Sequence, residues 1–480
     1  MNDVKKAIMT NWRWVMCAML FFATTVNYMD RQVLSLTFKE FIQPEFHWTD
    51  SDYGTITGVF SIAYAIFCLF AGKFIDWMGT KKGYLIAIIV WSLGAVMHAG
   101  CGWVTENIVG VADKAALLNA TGAIASTISM VSVWLFLVCR LILGLGEAGN
   151  FPAAIKVTAE YFPKKDRAFA TALFNAGASV GALAAPATIP LLAKSLGWEW
   201  AFIIIGALGF ICAGIWIFVY DKPTESKHVN EAELAYINSD EVDTPKAEVK
   251  EEKQMSFIEA FKHKQTWSFA FGKFMTDGVW WFFLFWAPAY FQDQFGIKAS
   301  DPQGIALIFT LYAIVTVVSL FGGYLPKIFV EKKGMEPYAG RMRAMLIFAF
   351  FPILALFAQP LGGVWGPWAV AIIIGIVGAA HQSWSANIFS TTGDMFPKSA
   401  VATITGIGAM AGGVGSFLIN KGSGMLFDHA AGLGEAFRFM GFSGKPAGYM
   451  IIFCICAVAY LIGWIVMKIL VPKHSPVVLK

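Results

Sequence analysis

A few charged side chains of this sequence lie inside long apolar stretches, where burial of a charge is costly. Asp30 and Arg31 lie in the first such stretch, Arg140 and Glu147 in a later one, and Lys273 in the second half of the chain. A charged side chain near the centre of a lipid bilayer costs at least about 2.5 kcal/mol on insertion scales. Charges kept at such a cost usually serve function, and here they could bind or move an ion.

Arg140 and Glu147 are seven residues apart, about two helical turns, so they share one face of a helix. Burial disfavours the charged form of a carboxylate, whereas a nearby cation favours it. These opposed effects suit a group that takes up and releases a proton. We therefore expect Glu147, with Arg140 beside it, to serve proton coupling. The alternative is a permanent ion pair that only fixes helix packing.

Asp30 and Arg31 are adjacent, so on a helix their side chains point about 100° apart. One of them can face a central cavity while the other meets a neighbouring helix. The planar guanidinium of Arg31 matches a carboxylate, so we expect Arg31 to bind an organic anion. Asp30 is expected either to take part in proton coupling or to hold an arginine such as Arg140. In the alternative, Asp30 and Arg31 neutralise each other inside the bundle.

Polar and aromatic side chains in the second half form another candidate group. Glu147 and His381 each precede a Phe-Pro-Lys tripeptide by 15 residues, so an internal repeat would place them at similar depth, facing a shared cavity. Gln382, Trp384 and Asn387 follow His381 closely. An amide, an imidazole and an indole offer hydrogen bonds and a stacking face, which suit a hydroxylated ring. A lone histidine in a helix is more often structural, but the neighbouring Gln382 and Asn387 favour a binding role for His381.

Weaker candidates for the same cavity come from other stretches. Lys273 and Asp277 are one helical turn apart and precede an aromatic run that contains Trp280 and Trp281. Either tryptophan could line the cavity, and the sequence does not decide between them. The binding candidates added here are Lys273, Trp280, Tyr64 and Asn175.

The amino-acid composition indicates the environment in which these residues must lie. The 480 residues are 57% hydrophobic and 14% charged, whereas soluble domains carry about a quarter charged residues. The expected solvent is therefore the lipid bilayer. A net charge of +4 gives no reason to expect nucleic-acid binding. Seven scattered cysteines lack metal-ligand spacing, so we expect neither a metal nor a cofactor.

Twelve apolar runs are long enough to span a bilayer, which takes about 20 residues each. They lack the alternation of barrel strands, so each must be a helix. We predict an all-α membrane protein of twelve transmembrane helices in two pseudo-symmetric six-helix bundles. The predicted boundaries are an N-terminal bundle over 1–220, a cytoplasmic linker over 221–266 and a C-terminal bundle over 267–480.

Basic residues concentrate in alternate short loops, and positively charged loops face the cytoplasm. Both termini are therefore predicted to be cytoplasmic. The first basic loop is a Gly-Asp-Gly-Lys turn, which we expect to take part in conformational change; it comprises Gly72, Asp76, Gly79, Lys81 and Lys82.

The two halves of the chain look like copies of each other. Phe162-Pro163-Lys164 returns 234 residues later as Phe396-Pro397-Lys398. The spacing of the repeat shows that the first half has about 16 extra residues, which we expect in an outside segment over 104–130. Repeats of this kind underlie alternating access in many transporters, with a binding site between the halves near the midplane.

These features together resemble the major facilitator superfamily over the whole chain, with its twelve spans, the loop over 72–82 and a charged central linker. More narrowly, Asn27-Tyr28-Met29-Asp30-Arg31, together with Arg140 and the motif over 146–152, is similar to the anion:cation symporter family. That family includes transporters of sugar acids, glutamate, sialic acid and phosphate esters. The stretch over 381–417 looks most like its hexuronate branch.

The resemblance implies proton-coupled import of glucuronate or galacturonate across a bacterial cytoplasmic membrane. It implies that Arg31 contacts the substrate carboxylate and that Asp30 and Glu147 carry protonation. The partners would be a small sugar acid, protons and the lipid bilayer, and we expect a monomer driven by the proton gradient. One departure is Ala178, which stands where galactonate carriers of the family have a glutamine and so weakens galactonate as the cargo.

Other functions remain as alternatives. A carrier of another organic anion, such as an aldonate, sialic acid or a phosphate ester, could work without proton coupling. A transporter-like membrane sensor is more remote. An enzyme is not expected, because the dinucleotide-type motif over 144–149 and the nucleophile-elbow motif over 177–181 lie in apolar helices without a preceding strand.

Overall fold

The computed structural model describes residues 9–239, 255–322 and 324–477, and most of them are helical. The helices of the N-terminal half are α1 (Trp12–Thr37), α2 (Gln43–Phe46), α3 (Asp50–Met78), α4 (Thr80–Met97), α5 (Cys101–Val109), α6 (Lys114–Leu118), α7 (Gly122–Glu147), α8 (Asn150–Tyr161), α9 (Lys164–Leu196) and α10 (Trp198–Val219). A π-helical turn, Phe38–Ile42, links α1 to α2, and a 3-10 turn, His98–Gly100, links α4 to α5.

Two short helices, α11 (Glu231–Ile237) and α12 (Phe257–Ala260), lie between the halves in sequence. The helices of the C-terminal half are α13 (Lys264–Phe295), α14 (Pro302–Gly322), α15 (Tyr324–Lys333), α16 (Pro337–Phe350), α17 (Ala358–Trp365), α18 (Pro367–Met395), α19 (Lys398–Leu433) and α20 (Lys445–Leu470). There are 3-10 turns at Phe351–Phe357 and Gly434–Ala436. Between α19 and α20, β1 (Arg438–Phe439) and β2 (Phe442–Ser443) form a small antiparallel hairpin, with Phe439 opposite Phe442.

Capping residues, prolines and glycines set the helix ends. Thr49 and Asp52 form a reciprocal capping box at the start of α3. Pro163 and Pro397 directly precede α9 and α19, so the repeated Phe-Pro-Lys tripeptide starts an equivalent helix in each half. Gly79 joins α3 to α4 with a φ of 79°, a backbone conformation that favours glycine.

Ten helical segments of the described chain are long and apolar enough to cross a membrane. Two further helices, α1 with 26 residues and α13 with 32, are also long enough but are more polar. These two helices carry Arg31 and Lys273, so their polarity comes partly from predicted site residues. The predicted all-α membrane protein is confirmed. The three predicted domain boundaries stay predictions, and residues 240–254 of the predicted linker lie outside the described residues.

The two halves meet where α3 packs along α19, α9 against α14 and α1 against α13. Glycines let α3 and α19 approach closely. A Cβ added at Gly54 would lie 2.5 Å from the carbonyl oxygen of Asn420, and one added at Gly413 would lie 2.5 Å from the Cβ of Ala65. Close helix contact of this kind is typical of small residues in membrane proteins.

The extra segment over 104–130 forms the end of α5, the short α6 and the start of α7. It is tied to the rest of the N-terminal half through the buried Glu45 of α2. The carboxylate of Glu45 accepts a hydrogen bond from Nε1 of Trp198 at 2.7 Å and pairs with Nζ of Lys114 at 2.9 Å. Burial raises the pKa of Glu45, and the Lys114 ammonium partly offsets that rise. The segment is therefore an ordered helical insertion.

Helix α11 docks on the start of α1 through Glu233. The carboxylate of Glu233 accepts hydrogen bonds from the backbone N–H groups of Trp12 and Arg13, at 2.9 and 3.1 Å, and from the Arg13 guanidinium at 3.1 Å. Burial would raise the pKa of Glu233, but the hydrogen bonds from Thr10, Arg13 and Trp12 and the charge of Arg13 lower it. Glu233 thus serves as a cap for a helix more than 200 positions away in sequence.

Candidate functional site

A buried ion pair joins α1 to α7. Nε and Nη2 of Arg31 both donate to Oε2 of Glu147, at 3.0 and 2.8 Å. The Glu147 side chain is fully buried and that of Arg31 is 7% exposed. Within the described chain, Oε1 of Glu147 has no hydrogen-bond partner. Any anion that takes Arg31 would therefore deprive the Glu147 carboxylate of its hydrogen-bonded ion-pair partner.

Three aromatic rings surround the guanidinium of Arg31. Its Cζ lies 4.6 Å from the ring centre of Tyr64, 5.2 Å from that of Tyr28 and 5.3 Å from that of Trp281. The three rings are partly exposed whereas Arg31 is buried, so they form an aromatic wall around its guanidinium. Because Trp281 belongs to α13, both halves contribute to this wall.

Asp30 and Arg140 are buried close to this pair but form no ion pair with each other in the described part of the chain. Neither oxygen of Asp30 and none of the three guanidinium nitrogens of Arg140 has a hydrogen-bond partner among the described residues. The Cζ of Arg140 lies 5.4 Å from the ring centre of Phe60. The direct pairs that the sequence left open, Arg140 with Glu147 and Asp30 with Arg31 or Arg140, do not form; Arg31 pairs with Glu147 instead.

Three of the candidates in the C-terminal half gather around Tyr460 of α20. Nδ1 of His381 lies 2.7 Å from the hydroxyl of Tyr460. Trp280 stacks on His381, with ring centres 5.5 Å apart and planes 2° apart. Trp384 meets Tyr460 edge to face at 5.5 Å. This group lies among α13, α18 and α20, so the polar tip of His381 is engaged within its own half.

Lys273 is already paired along its own helix. Its Nζ lies 2.8 Å from Oδ2 of Asp277, one turn later on α13, and 4.3 Å from the ring centre of Phe389. Asp277 also packs tightly on α19, because a Cβ added at Gly412 would lie 2.2 Å from Oδ2 of Asp277. The ion pair between Lys273 and Asp277 therefore lies within α13 and does not connect two helices. No group of three or more His, Cys, Asp or Glu side chains in the described chain could hold a metal ion.

The remaining binding candidates lie on α9 and α18. Asn387 donates to the carbonyl oxygen of Ser383 on its own helix and lines a cavity of about 350 Å³ with residues of α15 and α16. Gln382 is half-buried, and Asn175 of α9 is exposed. From the predicted binding and coupling residues of the N-terminal half, the structure therefore brings Arg31, Glu147 and Tyr64 into direct contact, with Asp30 and Arg140 buried nearby.

The predicted conformational loop connects α3 to α4 and is held by ion pairs to other helices. Asp76 pairs with Lys156 of α8 at 2.7 Å, and Lys81 pairs with Asp221, two residues after α10, at 2.7 Å. Gly72 precedes these residues on α3, and Lys82 is exposed. The loop thus ties α3 and α4 to α8 and to the residues that follow α10.

Sequence reasoning left the choice between Trp280 and Trp281 open and missed Tyr28 as a neighbour of Arg31. One signal could have found Trp281. The repeat that pairs Gly72 with Gly322 has an offset of 250 residues, and the same offset pairs Arg31 with Trp281 and Asp30 with Trp280. The two halves therefore present equivalent positions of α1 and α13 to the space between them.

Comparison with known proteins gives a consistent result. The family model described as Major Facilitator Superfamily matches residues 20–419. The hexuronate transporter of Escherichia coli strain K12 is 28% identical over 87% of this chain and 88% of its own length. The galacturonate transporter of Dickeya chrysanthemi is 28% identical over 72% of this chain and 92% of its own. Among solved structures, a bacterial homolog to the human lysosomal transporter Spinster matches with a TM-score of 0.69 and 17% identity, covering 95% of this chain and 97% of its own.

Proposed function

This chain belongs to the Major Facilitator Superfamily and is a membrane transporter rather than an enzyme, and we propose that it carries a hexuronate-type sugar acid into the cytoplasm together with protons. The buried ion pair of Arg31 and Glu147 is the observation that carries this proposal. The names of the relatives and the resemblance of the stretch over 381–417 support a hexuronate as the cargo.

Proton and substrate transport are coupled because the substrate carboxylate and Glu147 compete for the guanidinium of Arg31. The carboxylate of a sugar acid can form the same two hydrogen bonds with Arg31 that Glu147 now accepts. A displaced Glu147 would stay buried without its direct ion-pair partner, and breaking a buried pair costs several kcal/mol. A proton on Glu147 removes that cost. Anion binding and protonation of Glu147 therefore favour each other, which is the requirement for symport.

The sugar ring can use the aromatic wall beside Arg31. The apolar face of a pyranose packs well on an aromatic ring, and Trp281 and Tyr64 offer such faces next to the guanidinium. Trp281 comes from α13 and Tyr64 from α3, so a bound substrate touches both halves at once. A ligand held in this way can link the movement of one half to the other, as alternating access requires.

The direction of transport rests on the orientation in the membrane. Basic residues concentrate in loops at the face with both termini, which supports a cytoplasmic position for that face. The matched relatives are from bacteria, which supports the cytoplasmic membrane of a bacterium as the location. Uptake into the cell would then follow an inward proton gradient, without a cofactor.

Uptake into vesicles tests the proposal. Purified protein in liposomes should accumulate labelled glucuronate or galacturonate when the outside is more acidic than the inside, and a proton ionophore should abolish the accumulation. Uptake that ignores the pH gradient but is accelerated by internal substrate would instead identify an exchanger of organic anions. No uptake of either hexuronate under any gradient would contradict the proposed cargo.

A further inference from the structure

Four charged side chains form a closed ring at the end of the helix bundle opposite the start of α1 and the end of α20. Lys39 lies in the π-helical turn after α1, Asp50 begins α3, Asp293 lies near the end of α13 and Lys445 begins α20. Nζ of Lys39 lies 3.0 Å from Asp50 and 3.1 Å from Asp293. Nζ of Lys445 lies 2.5 Å from each of the same two carboxylates. These four residues are called the charge ring below.

Each half of the protein contributes one lysine and one aspartate to the charge ring. Two of the four ion pairs therefore lie within a half, Lys39 with Asp50 and Lys445 with Asp293, and the other two bridge the halves. Separation of the halves would break only the bridging pairs. Each half would keep a neutral pair, so no charge would be left without a partner.

This arrangement limits the cost of opening. The four side chains are between 5% and 17% exposed, so they are largely dehydrated while the halves touch. A single ion pair across the interface would leave two isolated charges when broken, which is costly until water reaches both. In the charge ring, the pairs within the halves persist throughout, and water only has to replace the two bridging contacts.

Other polar contacts across the same interface surround the charge ring. The carboxylate of Asp428 on α19 accepts from the backbone N–H groups of Asp50 and Ser51, at 2.9 and 2.7 Å. It therefore caps α3 from the other half. Nζ of Lys421 donates to the hydroxyl of Thr55 at 2.6 Å. Such contacts add to closure but leave unpaired groups on separation, unlike the charge ring.

We propose that the charge ring is the gate that closes this face during the transport cycle, and that its pairing within each half lets the gate open and re-form without a stranded charge. The inference rests on the proposed function in one respect, that the halves separate alternately at the two faces. On the proposed orientation, this is the outside gate.

Charge exchange within one half tests the gate. The double substitution Lys39→Asp with Asp50→Lys keeps a neutral pair in the N-terminal half but sets like charges against each other across the interface. Adding Asp293→Lys with Lys445→Asp restores opposite charges across it. A matched control exchanges the exposed pair Lys222 and Glu225, which lies outside the ring.

The readout is the distance between spin labels on the two halves, measured by pulsed electron resonance. Labels at Asn119→Cys and Leu433→Cys, both exposed, report the separation at this face. The partly exposed Cys68 and Cys454 are replaced by serine beforehand. We expect the double substitution Lys39→Asp with Asp50→Lys to lower the ratio of molecules with a short label distance to molecules with a long one by about tenfold or more. The fourfold exchange should restore it, and the control should not change it.

An unchanged distance distribution in the N-terminal exchange would overturn the proposal. So would a fourfold variant that folds, as judged by a single sharp elution peak, but stays open. If the N-terminal exchange does not fold, the C-terminal exchange alone makes the same clash and takes its place. The distances need no substrate, so failure of hexuronate uptake by the unmodified protein would contradict the proposed cargo and leave this result standing.

Discussion

Replacing Glu147 with glutamine would remove the negative charge of the buried pair with almost no change of shape. Arg31 would keep an oxygen to receive its two N–H groups, which now lie 3.0 and 2.8 Å from Oε2, but would lose the opposite charge. We expect the substrate carboxylate to bind Arg31 with less competition. Exchange between internal and external substrate should therefore persist in Glu147→Gln, whereas accumulation should stop because the site carries no proton.

The expected accumulation can be calculated if Glu147 carries one proton with each substrate molecule. One proton and one monovalent anion move without net charge, so the pH gradient alone drives them. A difference of one pH unit stores about 1.36 kcal/mol per proton and supports about tenfold accumulation. The variant should only equalise the substrate on the two sides. Its apparent affinity should also lose the pH dependence that protonation of Glu147 confers.

Liposomes containing the unmodified protein or Glu147→Gln allow both activities to be measured with labelled glucuronate. Exchange is measured with internal unlabelled substrate, and accumulation with an outside more acidic by one unit. Glu435→Gln, a change at an exposed carboxylate, is the matched control. About tenfold accumulation by Glu147→Gln would show that another group carries the proton. Loss of exchange in a folded variant would indicate that the pair only holds α1 against α7.

Three further changes probe the ion pair, the packing of α13 and the docking of α11. Arg31→Ala should weaken hexuronate binding by at least about a hundredfold in equilibrium dialysis, because the buried guanidinium that would hold the substrate carboxylate is lost. A change of less than tenfold would argue against Arg31 as the anion contact. Gly412→Ala should destabilise the protein by about 1–3 kcal/mol, since the new Cβ would overlap Asp277, whereas a Cβ at Gly422 would meet nothing within 4 Å of the described chain; equal melting temperatures for the two alanine variants would refute this. Glu233→Gln should lower the melting temperature at neutral pH. Because the fold lowers the pKa of Glu233, its stabilisation is present above the ordinary glutamate range and is lost as the pH falls through the folded pKa. The two melting curves should therefore converge in acid, and a gap that persists there would count against the cap.

The sequence identifies the charged residues of the site because charges are rare within its membrane helices. Arg31 and Glu147 stand out in this way, and helical spacing puts Glu147 on one face with Arg140. Spacing within one helix, however, cannot say which neighbouring helix faces that side. The partner of Glu147 turned out to lie 116 positions away on α1, a choice made by the packing of α1 against α7.

The choice between adjacent residues also depended on tertiary packing. Trp280 and Trp281 point about 100° apart on α13, so only one can face the N-terminal half. In the structure Trp281 lies over Arg31, while Trp280 stacks on His381. Asn387 follows Trp384 by less than one turn, yet it lines a separate cavity beside α15 and α16. The rotation of α13 and α18 about their axes is set by contacts with their neighbours, which a single sequence does not reveal.

The charge ring could not have been predicted from the sequence. Lys39, Asp50, Asp293 and Lys445 lie at the ends of four different helices and resemble ordinary solvated charges there. Their importance comes from the meeting of the halves, which brings residues more than 200 positions apart within 3.1 Å of each other.

In the proposed mechanism, a sugar acid replaces Glu147 on Arg31 while a proton moves onto Glu147. Calorimetric titration of the purified protein with glucuronate measures this directly when it is repeated in two buffers of different ionisation enthalpy. The difference between the two binding enthalpies, divided by the difference between the two ionisation enthalpies, gives the number of protons taken up with each substrate molecule. We predict an uptake of about one proton in the unmodified protein and none in Glu147→Gln. Binding without proton uptake, or equal uptake by both proteins, would contradict this mechanism.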